Sequence, residues 1–232
     1  AFSFKKSLLE HSKEINGNYH YEFINVPMTD INAIKNNDNI ETLFYTQEEG
    51  DIPLDDILNI EASLKIIGVT KEGLNELAIE IEEGRMPQNS SEIVITNKLK
   101  KYQSSKLKFG EQITAPSKSS SDTVSKQYTI VGTVNISDNY LESAEANSSN
   151  ATEFTTFSLL ENNEFSTNKN VNVYVGLKDL NKRIETLAQI LNLDEQMLQK
   201  LSVPNIVETE ENIQNNESNK YVFLANNVLL SM

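Results

Sequence analysis

The sequence predicts an α+β fold in two parts. A mixed α/β part is built from both ends of the chain, and a smaller β-rich part is inserted over about residues 84–152. Three observations predict it. Period-two alternation of apolar residues recurs near both ends, in Tyr19–Val26 and Val171–Val175, as strands require. Helical spacing appears beside those strands, in 1–16 and Asp179–Leu191. Between them, Leu77–Ile95 reads as strand, sharp turn and strand, and the stretch it opens is rich in β-formers and polar loops.

Taken in order, residues 1–16 form a helix with Phe4, Leu8 and Ile15 roughly on one side, ended by Gly17. The strand Tyr19–Val26 sets Tyr19, Tyr21 and Phe23 against His20, Glu22 and Ile24. Pro27 opens a short helix carrying Met28, Ile31 and Ile34, and Ile40–Thr46 is a second strand. Gly50–Ile57 reads as a loop or single turn, and Ile60–Val69 as β-rich. Thr70 is placed to cap a short helix over Lys71–Leu77. In Gly84-Arg85-Met86-Pro87, glycine supplies backbone angles that other residues avoid, and proline fixes φ and removes a donor. The apolar run resumes at Glu92–Ile95.

Thr96–Tyr102 is expected to be helical, and Phe109–Ile113 a turn leading into a strand. Pro116–Lys126 and Glu142–Asn150 are polar loops on either side of the strand Tyr128–Val134, and Glu153–Leu159 is a further strand. Asp179–Leu191 is the clearest helix, with Leu180, Ile184, Leu187 and Leu191 along one stripe. Asp194 caps a second helix carrying Met197, Leu198 and Leu201, limited by Pro204. Val207–Lys220, acidic and rich in Asn, reads as loop.

Composition excludes several classes of function. The 232 residues contain no Cys, so there is neither a disulfide framework nor a thiolate metal site. A net charge of −14 argues against nucleic acid, whose binding rests on neutralising phosphates. Only His11 and His20 are present, with no HExxH, nucleophile elbow, phosphate-cradling loop or calcium loop. No catalytic, cofactor-binding or metal-binding residue is therefore assigned, and a Ser–Lys hydrolase has nothing specific to stand on.

Charge is unevenly placed. Acids gather between Glu41 and Glu83, including Glu48, Glu49, Asp51, Asp55 and Asp56. The sign reverses at Lys98, Lys100, Lys101, Lys106 and Lys108. Two solvated faces account for this, and the sharper reading is a pair of interaction patches, the acidic one for a cationic peptide and the basic one for an anionic surface. Arg85, one of two Arg residues with Arg183, is expected to pin the turn by pairing with Glu82, Glu83, Glu92 or backbone carbonyls. Gly84, Arg85, Pro87 and Glu92 are thus read as a structural junction.

Four stretches in order then carry a resemblance. They are Gly17–Phe23, then Glu83–Pro87 followed by Ser91–Ile95, Leu107–Ile113, and Tyr128–Val134. Through them the chain resembles the extracytoplasmic domain of MacB-like and FtsX-like ABC transporter permeases, of the type found in low-GC Gram-positive bacteria. The resemblance implies a porter-like α/β subdomain over 17–83 and 153–220, interrupted by a β-rich sabre-like subdomain over 84–152. It implies that 1–16 is a stalk continuing a membrane helix, and that 221–232, ending apolar, returns toward the membrane. Implied partners are flanking transmembrane helices, a cytoplasmic ATPase reached through the parent permease, and a peptide, lipid or lipoprotein ligand. The implied place is the extracellular face of the cell membrane, and the implied role is non-catalytic coupling, with no cofactor in this domain. A secreted or surface-anchored binding or adhesion module is the alternative.

Overall fold

A computed structural model describes residues 2–116, 125–137, 152–161 and 169–215. Nine strands form one mixed sheet in the order β1-β9-β2-β3-β8-β5-β7-β4, with β6 beside β7. The strands are β1 Tyr21–Pro27, β2 Ile40–Pro53, β3 Ala62–Val69, β4 Ile79–Gly84, β5 Glu92–Thr96, β6 Gln112–Ala115, β7 Lys126–Ile136, β8 Thr152–Leu159 and β9 Asn170–Leu177. The pairs β3/β8 and β5/β7 are parallel and the others antiparallel. The helices are α1 Phe2–Asn16, α2 Ile31–Lys35, α3 Asp55–Leu58, α4 Arg183–Leu191 and α5 Met197–Lys200, followed by a helical run over 207–215, α6.

Three apolar clusters follow from strand alternation. On one face of β1, β9 and β2, Tyr21, Phe23, Val173 and Val175 meet Ile34, Leu180, Ile190 and Met197 from the helical segments. Farther along the sheet, Leu64, Ile66, Ile93, Ile95 and Ile130 are covered by Leu99 and Leu107, which sit in 3-10 turns. A third cluster gathers Phe44, Tyr174, Val94, Val134 and Phe157, with the Phe44 and Tyr174 rings stacked at 4.8 Å.

Strand β7 carries the heaviest load. It pairs with β5 along one edge, and with β6 and then β4 along the other. At the changeover, Arg85 N donates to Val131 O at 3.0 Å and Gly110 N to Ile130 O at 2.8 Å. There is no room for side chains at this contact. A Cβ on Gly132 would lie 2.6 Å from Glu83 O and 2.8 Å from Arg85 O, and Gly84 turns with φ +78. So β4 and β5 do not form a hairpin; the turn at Gly84–Pro87 carries the chain across β7.

Several expectations are corrected. Strand β2 runs on to Pro53, absorbing Gly50 (φ +139) at a register shift between Glu48 and Gly50, where a loop was expected. Lys71–Leu77 shortens to a 3-10 turn at Gly73–Asn75, because the Thr70 hydroxyl accepts from Tyr45 N rather than capping. Asn97–Tyr102 is 3-10, with Thr96 as its cap. The helix expected over Asp179–Leu191 begins with a 3-10 turn at Leu180–Lys182, which shifts the phase of its stripe. Ile184 is consequently 70% exposed, while Thr186 and Ile190 are buried. In α5, Met197 is buried but Leu198 is 66% exposed. Residues 207–215, read as loop, are helical: glutamate is a good helix former, and acids favour a helix N-terminus. Most of Pro116–Lys126 and all of Glu142–Asn150 lie outside the described residues.

The glycine contact yields a paired test. Gly132→Ala is expected to cost roughly 2 kcal/mol or more and lower the melting temperature by about 4–8 °C. Gly110→Ala, with nothing within 4 Å of its Cβ, is expected to cost only about 1 kcal/mol from its positive φ. Thermal denaturation of the two variants checks the difference.

Candidate functional site

Helix α1 stands away from the sheet for most of its length: Phe4 is 69% and Leu8 46% exposed. It stops at Gly17, in the left-handed region at φ +86, whose N donates to Lys13 O at 2.8 Å. A helix end leaves carbonyls without partners, and here one side chain takes them up. Asn205 Nδ2 lies 3.2, 3.1 and 2.9 Å from the carbonyls of Asn16, Gly17 and Tyr19. The Asn205 backbone N donates to His20 O at 2.8 Å.

His20, expected on the less apolar side of its strand and partly exposed, is buried. Leu177 N–H donates to Nδ1 at 2.8 Å, so Nε2 carries the proton and donates to Glu210 Oε2 at 2.8 Å. Glu210 lies in the first turn of α6. The bond from His20 holds its carboxyl below the ordinary range, with the Lys13 charge adding to the effect. Beside it, Arg183 pairs with Glu211 at 2.6 Å. The last turn of α1 and the first turn of α6 therefore enter the body of the protein at one joint.

On the other side of α1, Asn18 N donates to Glu76 O at 2.7 Å and Ser137 Oγ to Ile15 O at 2.5 Å. A cavity of about 700 Å³ opens there, lined by Lys13, Ile15, Asn18, Glu76, Ile79 and Asn135, among others. The body holds the end of the helix at a few polar points and leaves space alongside it.

The residues singled out from the sequence fall as follows. Arg85 and Glu92 form a two-pronged pair, Nη1–Oε2 and Nη2–Oε1 both at 2.6 Å, and Gln88 N donates to Glu92 Oε2 at 2.8 Å. The Arg85 hydrogen bonds are the main reason the Glu92 carboxyl is lowered to about 2. Pro87 is buried and Gly84 makes the β7 contact.

Lys98, Lys100, Lys101, Lys106 and Lys108 are all exposed. Lys100 bonds Glu82 at 3.0 Å, and Lys101 lies 5.0 Å from the Tyr102 ring centre. The acidic set is not one face. Glu49 turns inward to accept from Tyr128 Oη (3.1 Å) and Ser158 Oγ (2.9 Å), and Asp55 accepts from Ala62 N. Glu48 lies 3.7 Å from Lys65, and Asp51 and Asp56 are exposed. Among the described residues, no three His, Asp or Glu side chains are placed to hold a metal ion. Asn205 and Glu210 were not singled out from sequence: their partners lie 186 to 190 positions away, and no local spacing announces them.

Two outcomes are expected. Asn205→Ala strands carbonyls at the end of α1 and should cost about 1–3 kcal/mol; amide hydrogen exchange should quicken first at 13–20. The Glu92 carboxyl titrates near 2 against an ordinary 4.5, so the stability it contributes is complete above 4.5 and lost as pH falls toward 2. Arg85→Met should return the Glu92 carboxyl toward its ordinary value and flatten that acid-side loss, as NMR titration of the carboxyl will show.

No family model matches the chain, and no curated protein matches it. Solved structures do. The extracellular domain of the noncanonic ABC-type transporter YknZ from Gram-positive bacteria matches with a TM-score of 0.52 at 13% identity, covering 80% of this chain and 100% of that one. The periplasmic region of MacB from Actinobacillus actinomycetemcomitans matches with a TM-score of 0.53 at 12% identity, covering 90% and 98%. With its mixed sheet and packed helices, the chain has the α+β fold of the extracytoplasmic domains of MacB-like ABC transporter permeases.

Proposed function

We propose that the chain is the extracellular module of an ABC transporter permease of the MacB and FtsX type. In this reading it performs no catalysis; it couples ATP hydrolysis by a cytoplasmic ATPase to the export, extraction or sensing of a peptide, lipid or lipoprotein. The observation that carries the reading is the joint: α1 and α6 meet through Asn205, His20 and Glu210. A domain inserted between two membrane helices needs its entry and exit side by side, so that helix movement reaches the body as one displacement. The standing-off of α1 and the cavity beside it leave space for such movement. No helix among the described residues is long and apolar enough to cross a membrane; in this reading the membrane helices would lie in flanking sequence.

The division into a porter-like part (17–83 and 153–220) and a sabre-like part (84–152) belongs to the same proposal. Across that boundary the sheet is continuous: β5 pairs with β8 at Ile93 to Ile95, β4 pairs with β7, and one apolar cluster runs from Leu64 and Ile66 to Ile93, Ile95 and Ile130.

The test uses the parent permease in membranes with its ATPase. Spin labels at Lys13 and Ser63 should change separation between ATP-bound and nucleotide-free states, with labels at Ser63 and Thr114 as the reference within the body. A parent gene without membrane helices flanking this segment would overturn the reading and favour a secreted or anchored binding module. An unchanged Lys13–Ser63 distance during ATP turnover would remove the coupling role.

A further inference from the structure

A second cavity, of about 440 Å³, opens on the face of the sheet opposite the packed helices, across β1, β9, β2, β3 and β8. Its lining includes Glu22, Thr46, Asn172, Tyr174, Ile67 and Lys65. Most of its polar groups already have partners. Lys65 lies 3.2 Å from Glu153 and 3.7 Å from Glu48. Asn172 Oδ1 accepts from Asn25 N at 3.0 Å, and Asn170 Nδ2 donates to Asn25 Oδ1 at 3.0 Å.

Glu22 is the exception. It is half-buried, and among the described residues its carboxyl is bonded by the Tyr174 hydroxyl with no cation paired to it. Burial pushes its carboxyl above the ordinary range, and burial followed by the Glu22 charge raises the partly buried Tyr19 hydroxyl. A carboxylate taken out of water without a counter-ion is costly to the fold. Beside it the cavity offers apolar surface from Ile24 and Ile67. A ligand answering both features carries a positive charge on an aliphatic stem.

We propose that this cavity binds the side chain of a peptide lysine, its ammonium paired with the Glu22 carboxylate and its stem against Ile24 and Ile67. The binding is a property of this chain alone and does not depend on the permease reading.

The 232-residue chain, labelled with 15N, is titrated with Nα-acetyl-L-lysine N-methylamide. Amide shifts are expected at Glu22, Thr46, Asn172 and Tyr174. The norleucine counterpart, which keeps the stem and lacks the ammonium, should leave them unmoved. Glu22→Gln should weaken lysine binding about tenfold or more and raise the melting temperature at neutral pH, since the neutral isostere removes the desolvated charge. Lys65→Met, which removes a cation already paired, should not weaken binding. Shifts that map elsewhere, equal binding of the norleucine compound, or unweakened binding by Glu22→Gln overturn the assignment. Preference for O-phosphoethanolamine over the lysine compound would also overturn it, in favour of a lipid headgroup.

Discussion

The sheet depends on one backbone contact that excludes side chains. Strand β7 must hold β5 on one edge and both β4 and β6 on the other, and the changeover happens at Gly132. Two carbonyls and an amide from Glu83 and Arg85 lie where a Cβ would stand. With that space kept empty, β4 can end, the chain can turn at Gly84 and β5 can start on the far side of β7. The Arg85–Glu92 pair closes the turn from outside, in a geometry that fits guanidinium to carboxylate. Glycine supplies the permission and the ion pair the direction.

The helices are held on different principles. Helices α2, α4 and α5 bury apolar side chains against β1, β9 and β2. Helix α1 instead leaves Phe4 and Leu8 exposed and is fixed at its end by polar bonds to Asn205, Glu76 and Ser137. Apolar packing resists displacement over a whole surface, whereas a few directional bonds at one end define a pivot. In the proposed coupling role, the cavity flanking α1 lies where a swing of the helix would be taken up.

Much of this was legible in the sequence wherever a signal is local. Alternation located β1 and β9, the runs Tyr128–Val134 and Glu153–Leu159 read as strands where β7 and β8 lie, and Gly17 ended α1 where expected. The arginine at 85 found its partner seven residues away, within reach of a turn. Misreadings came where tertiary contacts outweighed local preference. Strand β2 extends through Gly50 because its pairing with β3 resumes after a register shift at that point. The acid-rich 207–215 forms a helix whose Glu210 and Glu211 are received by His20 and Arg183. Ile184 looked like core and faces outward, since a single 3-10 turn rotates everything after it.

The sequence by itself determined the fold class, the positions of most strands, the absence of thiol chemistry and the turn at 84–92. Those properties depend on residue type and near-neighbour spacing, which one chain displays openly. The tertiary structure alone decided that the end of α1 and the segment leading into α6 meet at Asn205 and His20, that Glu49 turns inward, and that the Glu22 carboxyl faces a cavity without a cation paired to it among the described residues. Each of these is set by contacts between residues far apart in the chain, and only the assembled sheet brings them within hydrogen-bond range.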